Sequence, residues 1–242
     1  MKTIIRVALV AGVALAALTP AIASHSWSTY HWAGDGTNLR LKVNNATTSQ
    51  WDPSITGAIA DWDASSELVL TGPLASAANR KKCNPIAGQI LVCNDSYGQR
   101  GWLGIASIWL TGGHISQGTT KLNDSYFNLA SYNTPGWRAL VACQEIGHDF
   151  GLGHQDEAFG NVNLGTCMDY TNAPDGGVVT GFDYGPNNRH PNAHDEEQLK
   201  LIYNHNDGFT TATASTNFGI RQVGKAVSQP PSSLGSGDSP SE

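Results

Sequence analysis

The chain has 242 residues; once Lys2 and Arg6 of a leader-like stretch are set aside, 12 basic residues face 20 acidic ones, a net charge of −8. Nucleic-acid binding rests on clustered Lys and Arg, so this balance argues against a polyanion partner. No stretch beyond the leader is apolar over the ~20 residues that cross a bilayer, which argues against a membrane protein.

Residues 1–23 have the parts of a secretory signal: Lys2 and Arg6, an apolar run from Val7 to Leu18, and Ala21-Ile22-Ala23 as a small-x-small cleavage site. The mature, secreted chain would then start at Ser24 and form one domain, 24–209, long enough for a real core. Leu39, Leu41 and Val43 alternate with polar neighbours and predict an opening strand. Asp52-Pro53 reads as an N-cap followed by Pro at the first helical position, and Ile55, Ile59 and Trp62 carry that helix to about Ala64. A strand from Glu67 to Leu70, ended by Thr71-Gly72-Pro73, comes next. Arg80-Lys81-Lys82 reads as a solvated turn, and Ile90 to Cys93 as a short buried strand. Trp102 to Leu110 and His114 to Leu122 predict two more strands, with Gly118 a candidate bulge.

Thr134-Pro135 repeats the cap signal and opens the helix that carries the chemistry. Gln144 and His148 lie one turn apart on a single face, while Glu145 sits on the next face round. Gly151 takes positive φ as a left-handed cap, and the turned chain brings His154 back from another direction. The result is a three-cornered site with an open fourth position. Gly151 to Gly181 should be mostly loop. A last helix spans Asn192 to His205, with His194 or Asp195 near its cap, Glu196 and Glu197 in its first turn, and Leu199, Ile202 and Tyr203 as its buried stripe. After Phe209 the composition shifts to Thr, Ser, Gly, Gln and Pro, so 210–242 reads as a disordered tail.

Of the remaining histidines, His25, His31 and His205 read as surface residues near the domain ends, and His114, His190 and His194 as capping or hydrogen-bonded groups. Asp175-Gly176-Gly177 and Asp183-Tyr184-Gly185 read as turns; a structural Ca2+ there would lack the repeated acidic ligands of a known cage. Four cysteines in an exported chain favour two disulfides, with three possible pairings. Cys83 with Cys93 would close a loop holding Asn84-Pro85 and Gly88. Cys143 with Cys167 would tie the long helix to the segment before Met168.

The run from Gln144-Glu145 through His148, Gly151 and His154, followed by Thr166-Cys167-Met168-Asp169-Tyr170, resembles the zinc site and Met-turn of the metzincin metallopeptidases, H-E-x-x-H-x-x-G-x-x-H. It looks closest to small secreted bacterial proteins related to matrixins. The resemblance covers most of Trp32 to Asn206 and is strongest from Cys143 to Tyr170. It departs at the first ligand, where this chain has Gln144 and the family has His. The resemblance implies an α+β, zincin-like fold with a twisted mixed sheet, an active-site helix, a Met-turn and a C-terminal helix. It implies Zn2+ held by Gln144, His148 and His154, with Glu145 as general base, Tyr170 as a catalytic residue that reaches the metal or steadies the tetrahedral intermediate, and Met168 as an apolar floor. It also implies closeness of Cys143 and Cys167, and an extended peptide or protein substrate paired with the edge strand from about Trp102 to Ser107. The function implied is that of a monomeric, secreted zinc endopeptidase. Gln144 leaves three outcomes: a ligand in an active peptidase, a gap filled by another His such as His114 or His190, or a catalytically degenerate binding protein of metzincin shape.

Overall fold

The computed structural model describes residues 24–212 and, as backbone, 221–228; the leader and the rest of the tail read from the sequence lie outside the described residues. The architecture is α+β. In chain order come β1 (Leu39–Asn45), α1 (Asp52–Asp63), β2 (Leu68–Ala75), β3 (Gln89–Asp95), β4 (Trp102–Thr111), β5 (His114–Asn123), the single turn α2 (Asp124–Phe127) and α3 (Pro135–Asp149). The small hairpin β6 (Val178–Val179) and β7 (Phe182–Asp183), then α4 (Ala193–Tyr203) and β8 (Arg221–Ser228), complete it. The main sheet has the order β2-β1-β3-β5-β4-β8. Its first four strands run parallel, while β4 is antiparallel to both β5 and β8.

Side-chain alternation decides which face of the sheet each residue serves. Ile90 and Val92 of β3 join Leu41, Val43, Leu103 and Ile108 in the main core, where Ile55, Ile59 and Trp62 of α1 meet Leu140, Val141 and Ile146 of α3. Leu91 and Cys93 face the other way, into a smaller cluster with Ala46 and Cys83 closed by the Cys83–Cys93 disulfide. Helices α1 and α3 pack on each other as well as on the sheet, so α3 is held from two sides.

Several boundaries differ from the sequence expectation. Asp52 is the first residue of α1, not its cap; its carboxylate accepts from Asn45 Nδ2 at 3.0 Å, and a 3-10 turn, Ser49–Trp51, leads in. Strand β2 runs through Thr71-Gly72-Pro73 to Ala75. It is the outer strand, where the missing N–H of Pro73 has no ladder partner to lose, and a Cβ at Gly72 would lie 2.6 Å from Val43 O. Gly118 is in register with Ile90 and Ile108, and the irregularity falls at Trp109/Leu110 instead. Gly118 is required because Asp149 Oδ1 would lie 2.9 Å from a Cβ there. The cap of α4 is Asn192, in a capping box with Asp195. Arg221–Ser228, read from the sequence as part of a structureless tail, forms β8 along the open edge of β4.

Candidate metal centre and active site

Helix α3 starts where its cap predicts, with Thr134 Oγ1 accepting from Trp137 N at 3.2 Å. At its other end Gly151 has φ +90°, and Gly151 N and Leu152 N return to His148 O and Gly147 O. A second reason fixes these glycines: the segment Ser24–Trp32 crosses the bend. A Cβ at Gly151 would strike Tyr30 O, and one at Gly153 would lie 2.7 Å from His25 O. Trp27 N donates to Gly151 O at 2.6 Å, Trp32 Nε1 donates to Asp149 O at 2.8 Å, and the Trp27 ring stands edge-on to His148 at 6.0 Å. The sequence reading missed this brace, because it acts through backbone atoms far apart in the chain.

The bend sets both imidazoles. His148 Nδ1 lies 2.8 Å from Leu152 O, and His154 Nδ1 lies 2.7 Å from Glu157 Oε1. A carbonyl and a carboxylate only accept, so each Nδ1 carries the proton and each Nε2 presents a lone pair. The two Nε2 atoms approach to 3.0 Å. Two such acceptors face each other comfortably only with a proton or a cation between them. For comparison, Zn–N bonds of 2.0–2.1 Å in a tetrahedron place neighbouring ligand atoms about 3.3 Å apart. Gln144 is wholly buried one turn before His148, and neither its Oε1 nor its Nε2 has a hydrogen-bond partner. A buried amide left so costs about 1–3 kcal/mol unless something else takes the oxygen. The donor set therefore fits a divalent ion.

Glu145, Met168, Tyr170 and the two cysteines lie around that corner. Glu145 is fully buried beside β4, where a Cβ at Gly104 would lie 2.6 Å from its Cγ. Met168 is fully buried beneath α3; its Sδ would be 2.7 Å from a Cβ at Gly147, the residue before His148. The Tyr170 ring packs 4.4 Å from that of His154 and stacks on Phe159 at 4.7 Å. Cys143 and Cys167 form a disulfide, tying the helix to the Met168 turn. Gln155 N donates to Met168 O at 2.7 Å, so the chain after His154 runs beside that turn.

Two buried carboxylates hold this layer together: Asp195, read in the sequence only as a residue near the helix cap, and Asp169, read only as part of the Met168 turn. Asp195 accepts from His25 Nε2 (3.0 Å), Gln155 Nε2 (2.9 Å), Thr166 Oγ1 (2.5 Å) and Asn192 N (2.7 Å), joining α4, the brace and the Met168 turn. Asp169 Oδ2 accepts from Leu164 N and Asn188 Nδ2, and burial pushes this carboxyl up to about 6. His190 lies against Asp61 at 2.7 Å. His25 is buried, not at the surface, and His31, His114 and His205 gather round Asp207, far from their expected separate roles. The edge of β4 expected to take a peptide is paired along its length with β8, from Leu110 opposite Arg221 to Trp102 opposite Ser228.

No family model matches the chain, and no curated protein matches it. Among solved structures it is similar to high choriolytic enzyme 1, a hatching-enzyme zinc protease of the medaka fish Oryzias latipes, at 12% identity and a TM-score of 0.37 over 73% of this chain and 95% of that one. It is also similar to two structures of myroilysin. One is 11% identical with a TM-score of 0.40, covering 75% and 98% of the two chains; the other is 12% identical with a TM-score of 0.37, covering 74% and 87%. Likeness at this level lies in the chain path and does not carry the chemistry of individual residues.

Proposed function

We infer that the chain is a zinc-dependent endopeptidase of metzincin type, with Gln144, His148 and His154 as its metal ligands. The observation that carries this reading is the pair of Nε2 atoms at 3.0 Å, each imidazole locked through Nδ1, beside a buried and partnerless Gln144 amide. Zinc bound there supplies a Lewis acid that polarises a carbonyl and makes water acidic near neutral pH. Glu145 takes the proton of the attacking water and passes it to the departing amine. Leu152 O and Glu157 keep the two imidazoles turned inward, and Tyr170 flanks the reacting carbonyl from the His154 side. Met168 and the Cys143–Cys167 bridge keep the floor apolar and rigid.

The substrate would be an extended peptide or protein segment adding to β4, whose backbone groups suit any such chain. β8 now holds that edge antiparallel, with Val227 opposite Gly104 next to Glu145, so a substrate has to displace it. Export through the 1–23 leader is part of the same reading, and the two disulfides accord with an oxidising compartment. Among the described residues no helix is long and apolar enough to cross a membrane. The test is cleavage of an unstructured protein: the parent should cut it, a chelator should stop the reaction, and zinc should restore it. Glu145→Gln should lower the rate about 10²–10⁴-fold with an unchanged melting temperature. Cleavage that survives both the chelator and Glu145→Gln would refute it.

Gln144 itself favours a second reading, a binding protein that keeps the scaffold without catalysis, since a neutral amide oxygen is a poorer zinc donor than imidazole. Under it, the parent is inactive and Gln144→His gains chelator-sensitive cleavage.

A further inference from the structure

A second cluster of metal-ligating side-chain types gathers where the brace meets the chain leaving α4. His31 Nε2 and His205 Nε2 are 3.0 Å apart, and Asp207 Oδ1 is 3.2 Å from His205 Nε2 and 3.6 Å from His31 Nε2. His114 Nδ1 is 4.0 Å from the same Oδ1, buried and without a hydrogen-bond partner. A tetrahedral zinc site with bonds near 2.0–2.1 Å has edges of about 3.3 Å, and the three separations among His31, His205 and Asp207 bracket that value.

The surrounding bonds aim the donor atoms inward. His31 Nδ1 lies 2.9 Å from Thr29 O, so that nitrogen carries the proton and Nε2 offers its lone pair to the centre. Asp207 Oδ2 accepts from Gly34 N at 2.8 Å, which leaves Oδ1 facing the histidines. Without an ion, three imidazoles share a single carboxylate, and the Nε2 atoms of His31 and His205 meet across 3.0 Å.

We propose that His31, His205 and Asp207 bind a zinc ion, separate from the centre on α3, with His114 beside them as a neighbour of Asp207. Two imidazoles and one carboxylate form a donor set of the kind zinc accepts. The ion would clasp two stretches distant in sequence, the brace that carries Trp27 and Tyr30 and the chain leaving α4. Asp207 N already donates to Gly34 O, just after the brace, so the clasp closes a contact that exists, and Ile115 N donates to His31 O beside it. Its effect on the centre at His148 is positional, through Trp27 and the bend at Gly151.

The test uses the full mature chain, stripped of metal and given zinc alone. The parent should retain two equivalents after exhaustive dialysis, while Asp207→Asn and His205→Gln should each retain one. His148→Ala should also retain one, and in that background zinc at a hundredfold its dissociation constant should raise the melting temperature by about 5–10 °C. The double variant His148→Ala with Asp207→Asn should bind none and show no shift. If Asp207→Asn and His205→Gln keep as much zinc as the parent, or His148→Ala binds none, the proposal is wrong. These outcomes are separate from the test of the peptidase reading, which turns on whether the parent cleaves an unstructured protein in a chelator-sensitive, Glu145-dependent way and not on the count at Asp207.

Discussion

At the scale of single residues, the account turns on side chains whose neighbours leave them one orientation. Gly104 gives way to Glu145, so Gly104→Ala should displace the carboxylate and lower kcat at least tenfold with little change in KM, as expected for a group used mainly in the transition state. Asp169 supplies a pH signature. Burial lifts its carboxyl to about 6, so the folded chain holds that proton more tightly than the unfolded chain does. The stability this confers is present below about pH 4 and is lost as the pH rises through 6. Asp169→Asn should therefore show a flatter melting temperature than the parent between about pH 4.5 and pH 7, measured by scanning calorimetry. Gln144→His should tighten zinc retention against a competing chelator by an order of magnitude or more, imidazole being the better donor. An unchanged competition curve would separate Gln144 from the metal.

At the scale of elements, β8 covers the edge of β4, and the Cys143–Cys167 bridge ties α3 to the Met168 turn. Ending the chain before Arg221 should raise kcat/KM on a protein substrate roughly tenfold, because the competent, open-edged state would no longer be a minority. Replacing both Cys143 and Cys167 by Ser should cost about 2–4 kcal/mol in urea unfolding, as a bridge spanning 24 residues would. The sequence made some of these elements plain and concealed others. The alternation in Leu39–Val43 and the Thr134-Pro135 cap are local signals, and β1 and α3 begin where those signals fall. The course of β2 through Pro73 depends on its place at the sheet edge, and β8 depends on an edge lying open beside it; neither condition is written in the segment itself.

At the scale of the whole molecule, one helix end is braced from every side: Trp62 Nε1 donates to Cys143 O, Met168 lies beneath Gly147, and Ser24–Trp32 crosses the bend. The spacing of Gln144, His148, Gly151 and His154 was readable because a helix turn is a local rule. The brace and the gathering of His31, His114 and His205 were not, since 174 residues separate His31 from His205 and only the fold brings them together. The most direct test of the centre on α3 is a crystal of the zinc-loaded chain, with anomalous scattering recorded on either side of the zinc absorption edge. The account predicts a peak about 2.0–2.3 Å from Gln144 Oε1, His148 Nε2 and His154 Nε2. At saturating zinc, a map with no peak there, or one with Gln144 turned away from the ion, would contradict it.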